Sequence, residues 1–378
     1  MNIAIVGAGF VADYYMTTLR NYPELVLRGV YDRSPERLRS FAACHSVRAY
    51  DSFEAVLADP DVRIVVNLTT PESHYDISRA ALAAGKHVYS EKPLAMSFDE
   101  AKALVELARN SGLTLAAAPA NGLSDAQRLV SSAIGAIGTP RLVYAQMEDG
   151  PVFREKWATW RSQSGAAWPG LHEFEIGCTL EHAGYALSWL VSLFGSVESV
   201  TAFSAITFPD KGPGTQHLRM APDFSVGCLR FRSGLVARLT SGLAMPRDRS
   251  LTVAGDGGTI TVDDLWDNRS AVRLEKADEK KPLWARLFII LEVRIGRFLP
   301  WKPAAGKKLS YPKSGKSALP AYPSQIDFAR GIADQARAIE KGDTAFFSGD
   351  VALHITEIAL ALNNAGDNAG PYKIKSSF

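Results

Sequence analysis

Apolar runs and helical stripes alternate along the first third of the chain. Ile3-Ala4-Ile5-Val6 is a continuous apolar run of strand length, and beyond Gly9 the pattern turns helical to about Leu19. A second strand is predicted from Leu25 to Tyr31, then a helix over Phe53–Leu57 and a buried strand over Ile64–Leu68. His74 to Ala84 reads as a helix ended by Gly85, and His87–Ser90, Asp99–Asn110 and Leu113–Ala118 continue as strand, helix and strand. This alternation predicts a parallel, doubly wound sheet over residues 1–120. From Pro140 the texture changes. Arg141–Glu148, Val197–Phe208, Phe224–Phe231, Leu235–Leu243, Ser250–Ala254 and Thr259–Val262 read as strands, with hairpin turns at Arg232-Ser233-Gly234 and Asp256-Gly257-Gly258. A helix is predicted over Glu181–Phe194, a second stripe over Ile326–Ile339, and a last apolar helix over Val351–Leu362. Residues 121–378 therefore form a second, α+β domain built on an open, mainly antiparallel sheet.

Composition narrows the class. With 378 residues, 47% of them hydrophobic and 22% charged, the chain carries a substantial core and is not disordered. A net charge of +2 gives no global field for nucleic acid. Cys44, Cys178 and Cys228 lack CxxC spacing and cannot all pair, so they indicate neither a disulfide framework nor a metal site, and a reducing compartment fits. No basic region and long apolar stretch mark a secretory signal, and no apolar run is long enough to span a bilayer. A cytoplasmic location is expected. The charge is nevertheless uneven. Residues 276–316 hold eleven Lys/Arg against three Asp/Glu, a local +8 that leaves −6 elsewhere. Inside this insert (about 276–320), Leu283–Leu299 is apolar with Arg286, Arg294 and Arg297 at helix-like spacing. Two readings stand: an arm packed on the protein or a partner subunit, or a basic amphipathic segment lying on an anionic membrane surface.

Candidate chemistry gathers where predicted strands end. Gly7-Ala8-Gly9-Phe10-Val11-Ala12 follows a strand and opens a helix. Gly7 permits the tight turn, Gly9 lets a pyrophosphate approach the backbone, and Ala12 keeps helix and strand close. The helix start offers free N–H groups to phosphates. Asp32 ends the second strand twenty residues after Ala12, where a carboxylate accepts from ribose hydroxyls; as a helix cap it would sit equally well before Ser34-Pro35-Glu36. Arg33 beside it suits adenine stacking or a 2′-phosphate, whereas Asp32 repels that phosphate; NAD is favoured and NADP stays open. Thr69-Thr70-Pro71 and Glu91-Lys92-Pro93 both lie at carboxyl ends of strands, the border of the ligand crevice in open α/β sheets.

With the glycine turn, Thr70-Pro71 followed by His74, and Glu91-Lys92-Pro93 at this spacing, the chain resembles the glucose–fructose oxidoreductase/inositol dehydrogenase/MocA family over nearly its whole length apart from the basic insert. The resemblance implies a Rossmann half joined to an open sheet domain that associates face to face in a homo-oligomer, dimer or tetramer. It implies NAD(P)-dependent hydride transfer at a secondary hydroxyl or ketone of a sugar, cyclitol or nucleotide-sugar. Lys92 would lie beside the nicotinamide, where like-charge repulsion lowers its pKa and lets it exchange a hydroxyl proton. Glu91 would position Lys92, and Thr69, Thr70 and His74 would border the cofactor. Relatives present an Asp, a His four residues later and an Asp three beyond. Counting back from Gly184 and Trp189 puts Cys178, His182 and Tyr185 at those places. His182 is then the second proton-handling group, with Tyr185 one turn along.

The Cys178 departure leaves Glu181 or Glu175 to supply the carboxylate, and it admits a rival reading, a sensor or scaffold that binds NAD(P) and sugar without turnover. Trp157, Trp160 and Trp168 stand among Arg154, Lys156 and Arg161. Flat apolar faces beside cationic forks suit a sugar carrying a phosphate or nucleotide; tryptophans capping a domain junction would look the same. His172 is a further, isolated substrate candidate.

Overall fold

The computed structural model describes residues 1–278, 306–313, 315, 317–366 and 370–378. Strands β1 (Asn2–Val6), β2 (Val26–Tyr31), β3 (Ile64–Asn67), β4 (His87–Ser90) and β5 (Leu115–Ala117) form a fully parallel sheet in the order β2-β1-β3-β4-β5. Ile3, Ile5, Ile64 and Val66 face one apolar cluster while Ala4, Val6, Val65 and Val88 face another. Burial on both faces is why these strands read as unbroken apolar runs. Helices α1 (Phe10–Leu19), α2 (Pro35–His45), α3 (Phe53–Ala58), α4 (His74–Ala83) and α5 (Phe98–Asn110) cover the sheet. Ser34, Ser52 and Ser97 cap three of them by accepting from backbone N–H groups of their first turns.

After α6 (Asp125–Ala133), the second sheet uses β6 (Pro140–Glu148), β7 (Val197–Ala205), β8 (Phe224–Phe231), β9 (Val236–Gly242), β10 (Leu251–Gly255), β11 (Gly258–Val262), β12 (Val272–Lys276), β13 (Lys307–Lys308) and β14 (Pro371–Lys373). Their order is β13-β12-β11-β10-β6-β9-β8-β7-β14, antiparallel except between β6 and β9. One face buries alternate residues such as Val143, Ala145 and Met147, leaving Leu142 and Tyr144 exposed on the other. Between β6 and β7 come α7 (Gly170–Ile176), a π-helical turn over Thr179–Ala183 and α8 (Gly184–Phe194), the last all but enclosed around Trp189.

Two helices of the second half cross back to the first sheet. On α9 (Arg330–Lys341), Gln335 donates to the carbonyl of Val88 at 2.9 Å, and Gly331 sits so close to Tyr89 that a Cβ would lie 2.3 Å from its hydroxyl. Before α10 (Gly349–Asn363), the Phe347 carbonyl accepts from Ala117 N–H at 3.1 Å, so this segment lines the β5 edge.

Three elements differ from the sequence expectation. The strand expected to reach Phe208 stops at Ala205 because Thr207 and Phe208 turn their N–H groups to the Asp223 carboxylate, at 2.7 and 2.8 Å. The stripe from Ile326 becomes helical only at Arg330; Ile326 and Phe328 are buried in the approach. The helix expected from Glu181 is preceded by the π turn, which sets the directions of Glu181 and His182. The segment Leu283–Leu299 lies outside the described residues.

Candidate active site

Carboxyl ends of β1 to β4 form one wall of a crevice, and α7, the π turn and the loop carrying Trp266 form the other. At the first wall Gly7 has φ +103°, and a Cβ there would meet the Leu68 carbonyl at 2.5 Å, so only glycine lets β1 turn against β3. Gly9 is different: nothing lies within 4 Å of where its Cβ would project. No side chain caps the start of α1, which leaves the Phe10 and Val11 N–H groups open to an anion, while Ala12 N–H donates to the Gly9 carbonyl at 3.2 Å. Asp32 is buried at the end of β2, accepting from Ala8 N–H at 2.8 Å, Ser34 N–H at 2.7 Å and the Arg37 guanidinium at 3.0 Å. Arg33 is exposed beside it. An open turn, an uncapped helix start and a fixed carboxylate fit the pyrophosphate and ribose of a dinucleotide.

Thr69 and Thr70 follow β3. The Thr69 hydroxyl donates to Asn67 Oδ1 at 2.6 Å, and Pro71 begins a 3-10 turn. His74 does not reach the crevice surface. It is fully buried behind it, with Nδ1 2.7 Å from the Pro93 carbonyl and Nε2 3.1 Å from the Thr69 carbonyl, and burial lowers its pKa. It ties the two crevice loops together, so its border role is indirect.

Glu91-Lys92-Pro93 follows β4. The Glu91 carboxylate accepts from the Tyr15 hydroxyl at 2.7 Å and from the Lys92 backbone N–H at 3.1 Å, so it fixes the main chain rather than the ammonium. The ammonium itself crosses the crevice: Lys92 Nζ lies 2.7 Å from Glu181 Oε2, with the two side chains 13% and 10% exposed. Burial lowers the Lys92 pKa, but Glu181, Tyr185 and Glu91 outweigh it and the net shift is upward. The expectation of a lowered lysine considered only a neighbouring cation. Within the chain the carboxylate across the crevice dominates.

Of the two candidate carboxylates, Glu181 is the one that faces Lys92, and Glu175 is exposed to solvent. Cys178 is buried among Val152, Phe174 and Leu243, 3.6 Å from the Ser241 carbonyl, and burial pushes its thiol up to about 12. His182, next to Glu181, is also buried. Its Nδ1 has no hydrogen-bond partner, and its Nε2 lies 3.7 Å from Glu173 and 3.9 Å from Asp149. Burial, with help from the charge of Lys92, lowers its pKa despite Asp149 and Glu181. Glu173 is driven well above the usual carboxyl range by burial and by Glu181. The Tyr185 ring stands 5.6 Å from Lys92 Nζ and 4.7 Å from Trp266. Beneath Trp266 the buried Arg249 guanidinium stacks at 4.3 Å and binds Asp264 at 2.8 Å.

Asp149, Glu173, Arg249 and Trp266 are the members that sequence reasoning missed. They come from β6's end, α7 and two separate loops, and no local spacing connects them. His172 is no isolated loop residue: it pairs with Glu72 at 2.7 Å, joining α7 to the 3-10 turn across the crevice. Trp168 meets both Trp157 and Trp160 edge to face, and Trp157 meets Phe174 at 5.4 Å. Arg154 lies over the rings of Phe153 and Phe208, and Arg161 donates to the carbonyls of Ala158 and Trp160. Neither arginine is held in the Lys92–Glu181 cluster.

A doubly wound sheet with an open phosphate turn, facing a buried lysine and histidine presented between two sheets, defines the class of dinucleotide-dependent oxidoreductases. Residues 1–118 match the oxidoreductase family with an NAD-binding Rossmann fold, and residues 125–261 match its GFO/IDH/MocA C-terminal domain; the chain belongs to the Gfo/Idh/MocA oxidoreductase family. It is 24% identical to the trans-1,2-dihydrobenzene-1,2-diol dehydrogenase of Bos taurus over 81% of this chain and 82% of that protein. Among solved structures it resembles aldose-aldose oxidoreductase from Caulobacter crescentus complexed with glycerol, with TM-score 0.75 and 18% identity over 99% of both chains. It also resembles the WlbA dehydrogenase from Bordetella pertussis in complex with NADH and UDP-GlcNAcA, with TM-score 0.69 and 20% identity over 99% of this chain and 97% of that one. Among the described residues, no helix is long and apolar enough to cross a membrane.

Proposed function

We propose that this NAD(P)-dependent oxidoreductase interconverts a secondary hydroxyl and a ketone on a sugar, cyclitol or nucleotide-sugar. The observation that carries the reading is the Lys92 ammonium anchored by Glu181 at 2.7 Å beside the buried, neutral imidazole of His182. The positively charged Lys92 donates a hydrogen bond to the carbon-bound oxygen and stabilises negative charge developing there. In oxidation His182 accepts the hydroxyl proton; in reduction its imidazolium returns it. Glu173 faces the His182 ring, with its Oε2 3.7 Å from Nε2, and Tyr185 lies over the Lys92 ammonium. When bound, the nicotinamide supplies the acceptor or donor of hydride. Gly7, Gly9, Phe10, Val11 and Ala12 cradle the pyrophosphate, Asp32 binds the ribose, Arg33 covers the adenine, and Thr69, Thr70 and Pro71 border the nicotinamide half. Asp32 favours NAD over NADP.

The tryptophan cluster beside Phe174 is the sugar-facing wall, and the nucleotide-sugar bound in the WlbA structure supports that subclass. Residues 1–120 carry the dinucleotide and 121–378 the substrate. The open face of the second sheet, with Leu142 and Tyr144 exposed, mates with a second copy, and the enzyme works in the cytoplasm.

The test is a panel of nucleotide-sugars and polyols with NAD and NADP, followed by nicotinamide absorbance. Turnover is expected, with Lys92→Ala lowering it about 100-fold or more while dinucleotide binding persists. Dinucleotide binding without turnover across the panel would return the sensor reading in its place.

A further inference from the structure

Away from the crevice, a second group of ligand-type side chains joins α1, α2 and the loop carrying Ser164. Asp13, in the first turn of α1, is 2% exposed although it is a carboxylate. One of its oxygens lies 2.5 Å from His45 Nε2; the other accepts from Ser164 N–H at 3.2 Å and Ser164 Oγ at 2.7 Å. Cys44 and His45 close the last turn of α2, and Cys44 Sγ sits 3.7 Å from the Gln163 carbonyl. One donor atom from each of Asp13, Cys44 and His45 falls within 4.8 Å of the others. The cluster borders a cavity of about 380 Å³ lined by Met16, Leu19, Leu27, Cys44, His45 and Gln163.

We propose that Asp13, Cys44 and His45 form a binding site for a borderline-soft divalent cation of the Zn²⁺ type, three protein ligands with a fourth position toward the cavity. The donor set selects the metal. One sulfur, one imidazole nitrogen and one carboxylate oxygen suit Zn²⁺ at bond lengths of about 2.0–2.3 Å, and tetrahedral geometry at those lengths puts ligand atoms roughly 3.5 Å apart. The donor atoms, already within 4.8 Å of one another, stand close to that spacing. Mg²⁺ and Ca²⁺ call for oxygen cages and do not match a thiolate and an imidazole. Ser164 supplies the outer support that metal-bound carboxylates generally have, by fixing the far oxygen of Asp13. A bound ion ties α1 to α2 and holds the Ser164 loop on α1. None of this depends on the reaction assigned to the crevice.

The full chain, stripped with a chelator, is titrated with Co²⁺ as a spectroscopic stand-in. A thiolate-to-cobalt charge-transfer band with tetrahedral ligand-field bands should saturate at one ion per chain and vanish on adding Zn²⁺. Cys44→Ser, at an exposed position, should abolish the charge-transfer band, and Asp13→Asn should weaken Zn²⁺ binding by about tenfold or more. Cys178→Ser and Cys228→Ser should leave both unchanged. Absence of the band in the parent chain, or its survival in Cys44→Ser with the fold intact by circular dichroism, overturns the site.

Discussion

Replacing Glu181 with Gln keeps the shape of the crevice and removes the charge opposite Lys92. The pair is separated by 2.7 Å, and both side chains are largely excluded from water. Deleting one member of such a pair leaves the other charge desolvated and costs about 3–5 kcal/mol. Glu91 and the Tyr185 ring still attract the ammonium, so the lower end, about 3 kcal/mol near neutral pH, is expected. The pH dependence gives the sharper test. In the parent chain the folded pKa of Lys92 lies above its unfolded value, so the pair's contribution is complete below the unfolded value and fades as pH rises through the folded one. In Glu181→Gln, burial dominates and the folded pKa drops below the unfolded value, so stability is lowest at neutral pH and recovers toward about pH 10. Urea unfolding of both chains at neutral pH and near pH 10 measures the gap, with turnover followed in parallel. A variant as stable as the parent to within about 0.5 kcal/mol at neutral pH, or a deficit that does not shrink in alkali, would refute this account of how the lysine is held.

Three further outcomes follow from the geometry. The oxidation rate should fall in acid as His182 protonates, with a midpoint below 6.5 because burial lowers its pKa, and His182→Gln should lose both this limb and most of the activity; a pH–rate profile decides. His354 accepts from Val197 N–H at 2.9 Å and burial depresses its pKa from 6.5 to about 4, so its stabilisation is complete above pH 6.5 and drains away as pH falls toward 4. That interval is worth roughly 3 kcal/mol at about 1.36 kcal/mol per unit, and His354→Asn should flatten the acid side of a stability–pH curve. If the basic segment Leu283–Leu299 engages a membrane surface, the chain should co-sediment with anionic vesicles at low salt and release at high salt; no sedimentation at either leaves the packed-arm reading.

The parallel sheet was legible because burial on both faces writes strands as uninterrupted apolar runs, as in Ile3–Val6 and Ile64–Val66. The second sheet's strands were legible from alternation and hairpin glycines, but Val197–Ala205 ended early for a reason 16 residues away, the Asp223 carboxylate. The active-site reading carried the same limit. The Glu-Lys-Pro motif pointed to Lys92, and counting back from Gly184 and Trp189 pointed to His182, but nothing local distinguished Glu181, which faces Lys92, from the exposed Glu175. Asp149, Glu173, Arg249 and Trp266 converge only through tertiary packing. Cys44 and His45 gave no metal signal because their third partner, Asp13, stands on another helix at no regular spacing. The upward shift of Lys92 within the chain was not legible for the same cause: its carboxylate partner lies 89 residues further along the chain.

The return of α9 and α10 onto the first sheet has a consequence for biosynthesis. The amide of Ala117 and the carbonyl of Val88 find their partners at Phe347 and Gln335, residues made long after the strands themselves. A nascent chain that has emerged only to residue 120 thus holds all its parallel strands yet lacks the cover over β4 and β5. Vectorial synthesis would leave that apolar edge waiting, a natural client surface for chaperones until α9 and α10 have emerged.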